Sequence, residues 1–159
     1  MINFDRIVDN VFVGTCPGTA IDVKRLSQAG MTAVFCLQTD QDFRACGINW
    51  PALEKEYLQR EIACYRYPII DFNDDDMTER LYGATALLEE VTGQHGRVYV
   101  HCTAGQQRAP STVIGWLAWQ QSMDLETAIE TVLEARRCAP PLHVIRAVDQ
   151  LNQRFKPAV

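Results

Sequence analysis

"RVYVHCTAGQQRAP", residues 97–110, is the stretch whose reading decides the fold. "RVYV" (97–100) is short, apolar and preceded by Gly96, which predicts a buried central strand. The three residues after the cysteine, Thr103, Ala104 and Gly105, are small, and a helix is expected over roughly 109–121. Strand, tight loop and helix follow one another, so the loop lies at the carboxyl end of a strand, where open α/β sheets bind their ligands.

The loop holds Cys102 and Arg108 in a Cys-x5-Arg spacing. Gly105 can take a positive φ without steric penalty, so the backbone of Thr103, Ala104, Gly105, Gln106, Gln107 and Arg108 can curl with its N–H groups inward. The unpaired N–H groups and positive dipole end of the following helix complete an anion nest of the kind that cradles phosphate. The same field favours a thiolate at Cys102, the candidate nucleophile. Arg108 offers a planar fork for two phosphate oxygens. His101 is read as a supporting residue whose ring bonds loop backbone. By itself Cys-x5-Arg is a weak signal, because cysteine is commonly a small buried hydrophobe. His101, Gly105 and the strand–loop–helix setting turn it towards catalysis.

Outward from the loop, strands are expected at "RIVDNVFVG" (6–14), "TAVFCLQ" (32–38) and "ACYRYPII" (63–70), the last weakened at Pro68. A helix over "TAIDVKRLSQAG" stops at Gly30, and Asn49 caps another that has Pro51 in its first turn and Leu53 and Leu58 towards the core. "DFNDDD" (71–76) reads as a charged loop before a long helix carrying Leu81, Ala84, Leu87, Leu88 and Val91 at helical spacing. Further helices are expected at 125–136, capped by Asp124, and at 143–154. Trp116 and Trp119 fit core packing, whereas Trp50 and Phe72 are candidate platforms beside the cleft. The pattern is one α/β domain over 1–159, a central mixed sheet flanked by helices.

Composition narrows the partners. The chain of 159 residues is 47% hydrophobic with a net charge of −5 and no basic run, which argues against nucleic-acid and membrane partners. No stretch reads as a signal peptide or a bilayer span. Six cysteines are scattered without a CxxC pair, which implies no metal site and fits a reducing, cytoplasmic setting. No cofactor is called for.

Cleaving a phosphate ester needs a proton for the leaving oxygen, and Asp71, between an apolar run and Phe72, is a candidate donor. The residues alone leave its role open, since the acidic run Asp74–Asp76 suits a solvated face or helix cap.

"VYVHCTAGQQRAP" resembles the His-Cys-x5-Arg signature of the dual-specificity branch of the cysteine-dependent phosphatases. "FVGTCPGTAIDVKRLSQAGMTAVFCLQTDQDF", "DFNDDDMTERL" and "RRCAPPLHVIRA" are similar to segments of the plant glucan phosphatases of the starch-excess type within that branch. The resemblance implies a phosphatase-type fold, Cys102 as nucleophile forming a cysteinyl-phosphate, Arg108 as phosphoryl binder and Asp71 as general acid. It also implies that Cys36, in "FCLQ", can pair with Cys102 on oxidation. The implied substrate is a phosphorylated protein, with phosphorylated carbohydrate as the alternative. The chain departs from the family at Gln106 and Gln107, at Ala109 where serine or threonine is usual, and at Ala45 and Cys46 where glucan-active members carry aromatics. Two other classes use similar loops. Cys102, Arg108 and Asp71 together favour an enzyme over a phosphate-trapping module, which Gln107 keeps open because its side chain could crowd the loop, and a sulfur-transfer domain would not need Asp71.

Overall fold

The computed structural model describes residues 1–155. Five strands form one sheet: β1 (Phe4–Val8), β2 (Val11–Gly14), β3 (Ala33–Cys36), β4 (Ala63–Arg66) and β5 (Val98–His101), in the spatial order β1-β2-β5-β3-β4. β1 pairs antiparallel with β2, and every other pairing is parallel. The strand expected at 97–100 is thus the central one, and all four of its residues are buried.

Its side chains alternate between two cores, as a strand covered on both faces requires. Val98 and Val100 join Leu81, Leu88, Val113, Ile114, Val132 and Ile145 under α4 (Asp74–Gln94), α5 (Arg108–Gly115), α6 (Leu125–Ala135) and α7 (Leu142–Arg154). Tyr99 packs with Val34, Leu26, Leu53 and Tyr57 under α1 (Ala20–Gln28) and α3 (Trp50–Gln59). Truncating a fully buried leucine of this kind, such as Leu81, costs about 2–5 kcal/mol.

Three expectations change. The single strand over 6–14 is a hairpin, with a turn at Asp9–Asn10 between β1 and β2. Leu58 points outward, 77% exposed, because Leu53 and Tyr57 are spaced i, i+4 and form the buried stripe of α3. The helix after the loop is α-helical only over Arg108–Gly115 and then widens into a π-turn, Trp116–Gln120. There the two indole N–H groups reach carboxylates, Trp116 donating to Glu89 at 2.7 Å and Trp119 to Asp149 at 2.9 Å. A short helix, α2 (Asp40–Cys46), also lies between β3 and α3, where the sequence reading assigned no element. Among the described residues no helix is long and apolar enough to cross a membrane.

Register then places the site. Gly14 and Cys36 lie opposite His101 at the carboxyl ends of β2 and β3, flanking the residue that leads into the cysteine loop.

Candidate active site

The loop is held from outside by its carbonyls. Leu37 N donates to His101 O at 2.9 Å, Cys16 N to Thr103 O at 3.0 Å and Ala139 N to Gln106 O at 3.0 Å. Arg136 donates to Gly105 O from Nε at 2.8 Å and to Ala104 O from Nη2 at 3.4 Å. Ser111 donates to Gln107 O, through its amide at 3.0 Å and its hydroxyl at 2.6 Å. The carbonyl and N–H of a trans peptide point in opposite directions, so carbonyls tied outward turn the N–H groups inward. Among the described residues no backbone N–H from Thr103 to Gln107 donates to a protein acceptor. A ring of free donors at the amino end of α5 is an anion nest. Gly105 sits at φ +65°, and a Cβ there would lie 2.6 Å from Gly14 O, so glycine is required on both counts. Gln107, by contrast, has φ −123°, a conformation that any residue adopts, and its side chain is accommodated.

Cys102 lies at the base of this ring, 3% exposed, with a free thiol. His101 beside it is buried, and its Nδ1 is 3.1 Å from Cys102 O. A carbonyl only accepts, so Nδ1 carries the proton. Burial, helped by the nearby Arg108 charge, pushes the imidazole pKa down to about 4, so the ring is neutral and serves to fix the backbone at Cys102.

Arg108 is 1% exposed and divided in function. Its Nη1 is anchored to Ile69 O at 2.8 Å, to Leu37 O at 3.3 Å and to Asp42 Oδ2 at 2.7 Å. Nη2 makes longer contacts, 3.3 Å to Thr103 Oγ1 and 3.2 Å to Asp71 Oδ2, and Nε is buried without a partner. Nε and Nη2 are therefore the edge of the guanidinium that could take two oxygens of a bound oxyanion.

Asp71 shares this site through its ion pair with Arg108, on a segment braced by several bonds. Asp76 accepts from Ile70 N at 2.7 Å, and Arg80 donates to Pro68 O at 2.7 Å. Asp76 and Asp74 of the run are thus engaged elsewhere. Asn73, rather than an aspartate, caps α4, and Asp74 pairs with His143 at 2.7 Å. Phe72 stands beside Asp71 at φ 54° and 82% exposed, an aromatic ring held open to solvent on the rim. Trp50 instead stacks on Phe43 at 4.7 Å, with the Arg66 guanidinium over both rings.

Cys36 is buried on β3, and its thiol contacts Gln38 Oε1 at 3.9 Å. Gln38 Nε2 in turn donates to Thr103 Oγ1 at 3.0 Å, connecting that strand to the loop. Desolvation drives the Cys36 pKa up to about 12, outweighing the lowering by Gln38 and by the cations Arg66 and Arg108.

Two residues of this site were not singled out from the sequence. Asp42 lies on α2, and its signal was the capping box in which Thr39 and Asp42 bond reciprocally. Burial opposes the Asp42 carboxylate, but hydrogen bonds from Arg108 and Thr39, with the Arg108 charge, hold it below the usual range. Arg136 follows α6 in extended conformation, and no local pattern separates it from Arg137.

The model of the dual specificity phosphatase catalytic domain matches residues 11–154. The chain belongs to that family. An amyloplastic phosphoglucan phosphatase of Castanea sativa is 33% identical over 149 residues, covering 92% of this chain and 40% of the relative. Laforin of Mus musculus is 29% identical over 166 residues, covering 97% and 49%. The chain thus spans less than half the length of these relatives. The crystal structure of Tk-PTP in the active form shares the fold, with a TM-score of 0.76 at 20% identity over 96% of this chain and 97% of that one.

Proposed function

We propose that this domain hydrolyses phosphomonoesters through a cysteinyl-phosphate intermediate. The observation that carries the reading is the ring of unengaged N–H groups from Thr103 to Gln107, closed by the Nε–Nη2 edge of Arg108, whose Nε is unpartnered and whose Nη2 makes only its longer contacts, around Cys102. Three phosphoryl oxygens fit such donors, and the donors strengthen their hold as charge spreads onto those oxygens in the transition state.

In the first step the Cys102 thiolate attacks phosphorus, forming an S–P bond as the ester P–O bond breaks. Asp71 passes its proton to the leaving oxygen. Before that transfer the entering dianion takes over Arg108 Nη2 and releases Asp71 from its ion pair, and the freed carboxylate takes up from solvent the proton it then donates. In the second step water attacks phosphorus, giving a proton to the Asp71 carboxylate, and the S–P bond breaks to return the thiolate and inorganic phosphate.

The main reading of the substrate is a phosphoprotein of the dual-specificity type, in a cytoplasmic setting. Phosphoglucan is the second reading. It is supported by the exposed Phe72 ring at the rim, suited to lie against a sugar face, and by the plant relative named for that activity. Turnover on an aryl phosphate, phosphopeptides and phosphorylated starch, measured side by side, chooses between them. Cys102→Ser is the mechanistic control. It is expected to lose turnover while still binding tungstate, and retained turnover refutes the thiolate mechanism.

A further inference from the structure

The donors of the anion nest are set by their peptides, and two of those peptides are governed by one side chain. The carbonyl of Ala104 belongs to the peptide that carries the Gly105 N–H, and the carbonyl of Gly105 to the peptide that carries the Gln106 N–H. Arg136 holds both carbonyls, through Nη2 and Nε respectively. Its remaining donors go to β1 and to the residue before it, Nη1 to Asp5 Oδ2 at 2.9 Å and Nη2 to Asn3 Oδ1 at 3.0 Å. The guanidinium is thus almost fully buried and fixed on both sides.

That arrangement matters because of Gly105. A glycine peptide unit flips at little cost, and a flip of either peptide here replaces one inward N–H by a carbonyl oxygen facing the phosphate. Arg136 makes the flipped state costly. Turning either carbonyl inward strips a buried guanidinium of an acceptor, and an unsatisfied buried charge is heavily penalised. A side chain at position 105 is excluded by the same contact, since a Cβ there would lie 2.8 Å from Arg136 Nη2.

We propose that Arg136 is a positioning residue for the reaction, selecting the phosphate-binding orientation of the Ala104–Gln106 peptides from behind the loop, with Asp5 as its counter-charge. This rests on the phosphatase reading above. Arg136 touches neither phosphoryl group nor nucleophile in this role. It acts through backbone dipoles.

The test compares the parent with Arg136→Met, Arg136→Lys and Asp5→Asn, using an aryl phosphate for turnover and tungstate for binding, with thermal melts alongside. In Arg136→Met, kcat/KM and tungstate affinity are expected to fall about 10–100-fold, as when groups that orient a site's ligands are lost. The ascending limb of the kcat/KM profile is expected to move to higher pH, because fewer loop N–H groups face the thiolate. Arg136→Lys is expected to fall between, since one ammonium satisfies one carbonyl but not the pair. Asp5→Asn, which leaves the arginine in place, is expected to lose several-fold in tungstate affinity. If Arg136→Met is too unstable to assay, Asp5→Asn and Arg136→Lys decide, and parent-like values in both overturn the proposal. So does an Arg136→Met enzyme that melts lower but, at a temperature where it is folded, matches the parent in kcat/KM, tungstate affinity and pH profile. A parent that neither binds tungstate nor turns over any phosphomonoester overturns the phosphatase reading, and this role with it.

Discussion

Arg108 and Asp42 form an ion pair of 2.7 Å in which the arginine is buried and the aspartate only partly so. The pair spends Nη1 on the protein and leaves the opposite edge of the guanidinium for the ligand. In the proposed reaction Asp42 would thereby aim the fork without meeting the phosphate. Asp42→Asn keeps an acceptor for Nη1 but removes the charge, and is expected to lower kcat/KM about 10–100-fold, the range for lost orienting groups. Steady-state kinetics on an aryl phosphate check this. A variant within twofold of the parent shows that the two carbonyls of Leu37 and Ile69 aim Arg108 unaided.

Asp71 is the acidic residue of its run that reaches Arg108, while Asp74 and Asp76 are tied to His143 and to Ile70 N. Asp71→Asn is therefore expected to slow hydrolysis of alkyl phosphates by roughly 10²–10⁴-fold, the usual contribution of a general acid. An activated aryl ester should suffer far less, because its leaving group needs little protonation. Equal losses on both substrates point to a binding role for Asp71, and a harmless Asp71→Asn beside an inactive Asp74→Asn places the acid elsewhere.

His101 couples the site to acid stability. In the unfolded chain it protonates near pH 6.5, whereas burial keeps it neutral in the native state down to about pH 4. Within that window the unfolded state binds a proton that the folded state refuses, so stability is complete above pH 6.5, falls as the pH drops, and stops falling from this source below about pH 4. The total is on the order of 3 kcal/mol. Asp42 acts at lower pH. Its depressed pKa adds stability above the ordinary value of 3.8, which is lost on further acidification. Urea melts at pH 7, 5.5 and 4.5 are expected to show the steeper loss in the parent than in His101→Asn. Parallel pH dependences refute the assignment.

The parts of this site that were legible in the sequence are those whose signals are local. β5, the loop and α5 are contiguous, and an apolar run, small residues and Gly105 announce them in order. α2 was not legible, because it is seven residues long and buries only Phe43, too little for helical periodicity. The β1–β2 turn at Asp9–Asn10 lacks the glycine that marks tight hairpins, so the two strands read as one. Arg136 is a matter of tertiary structure: its partners, Asp5 and Gly105, lie far from it in the chain. A buried arginine looks like an exposed one until the fold is known.

Cys36 and Cys102 bear on oxidation. Cys36 pairs in register with His101, the residue before Cys102, so the two thiols lie on neighbouring strand ends, both buried and both free. Peroxide acts first on a catalytic thiolate, giving a sulfenic acid. A second thiol that attacks it expels water and leaves a disulfide, which protects the sulfur from irreversible over-oxidation. The obstacle is the acidity of Cys36. With a pKa near 12, very little of it is thiolate at neutral pH, and its attack is slow until the loop opens and admits solvent. Alternation along the strands adds to this, since Cys36 shares a face with His101 and Cys102 must turn towards it. The expected outcome is a Cys36–Cys102 disulfide that forms at moderate peroxide and is outrun by sulfinic acid at high peroxide. Dithiothreitol should restore activity only in the first regime. Peptide mapping of protein oxidised across a peroxide series reads both products. Cys36→Ser is expected to reach the sulfinic form at lower peroxide and to recover less, and recovery equal to the parent's shows that Cys36 only packs the core.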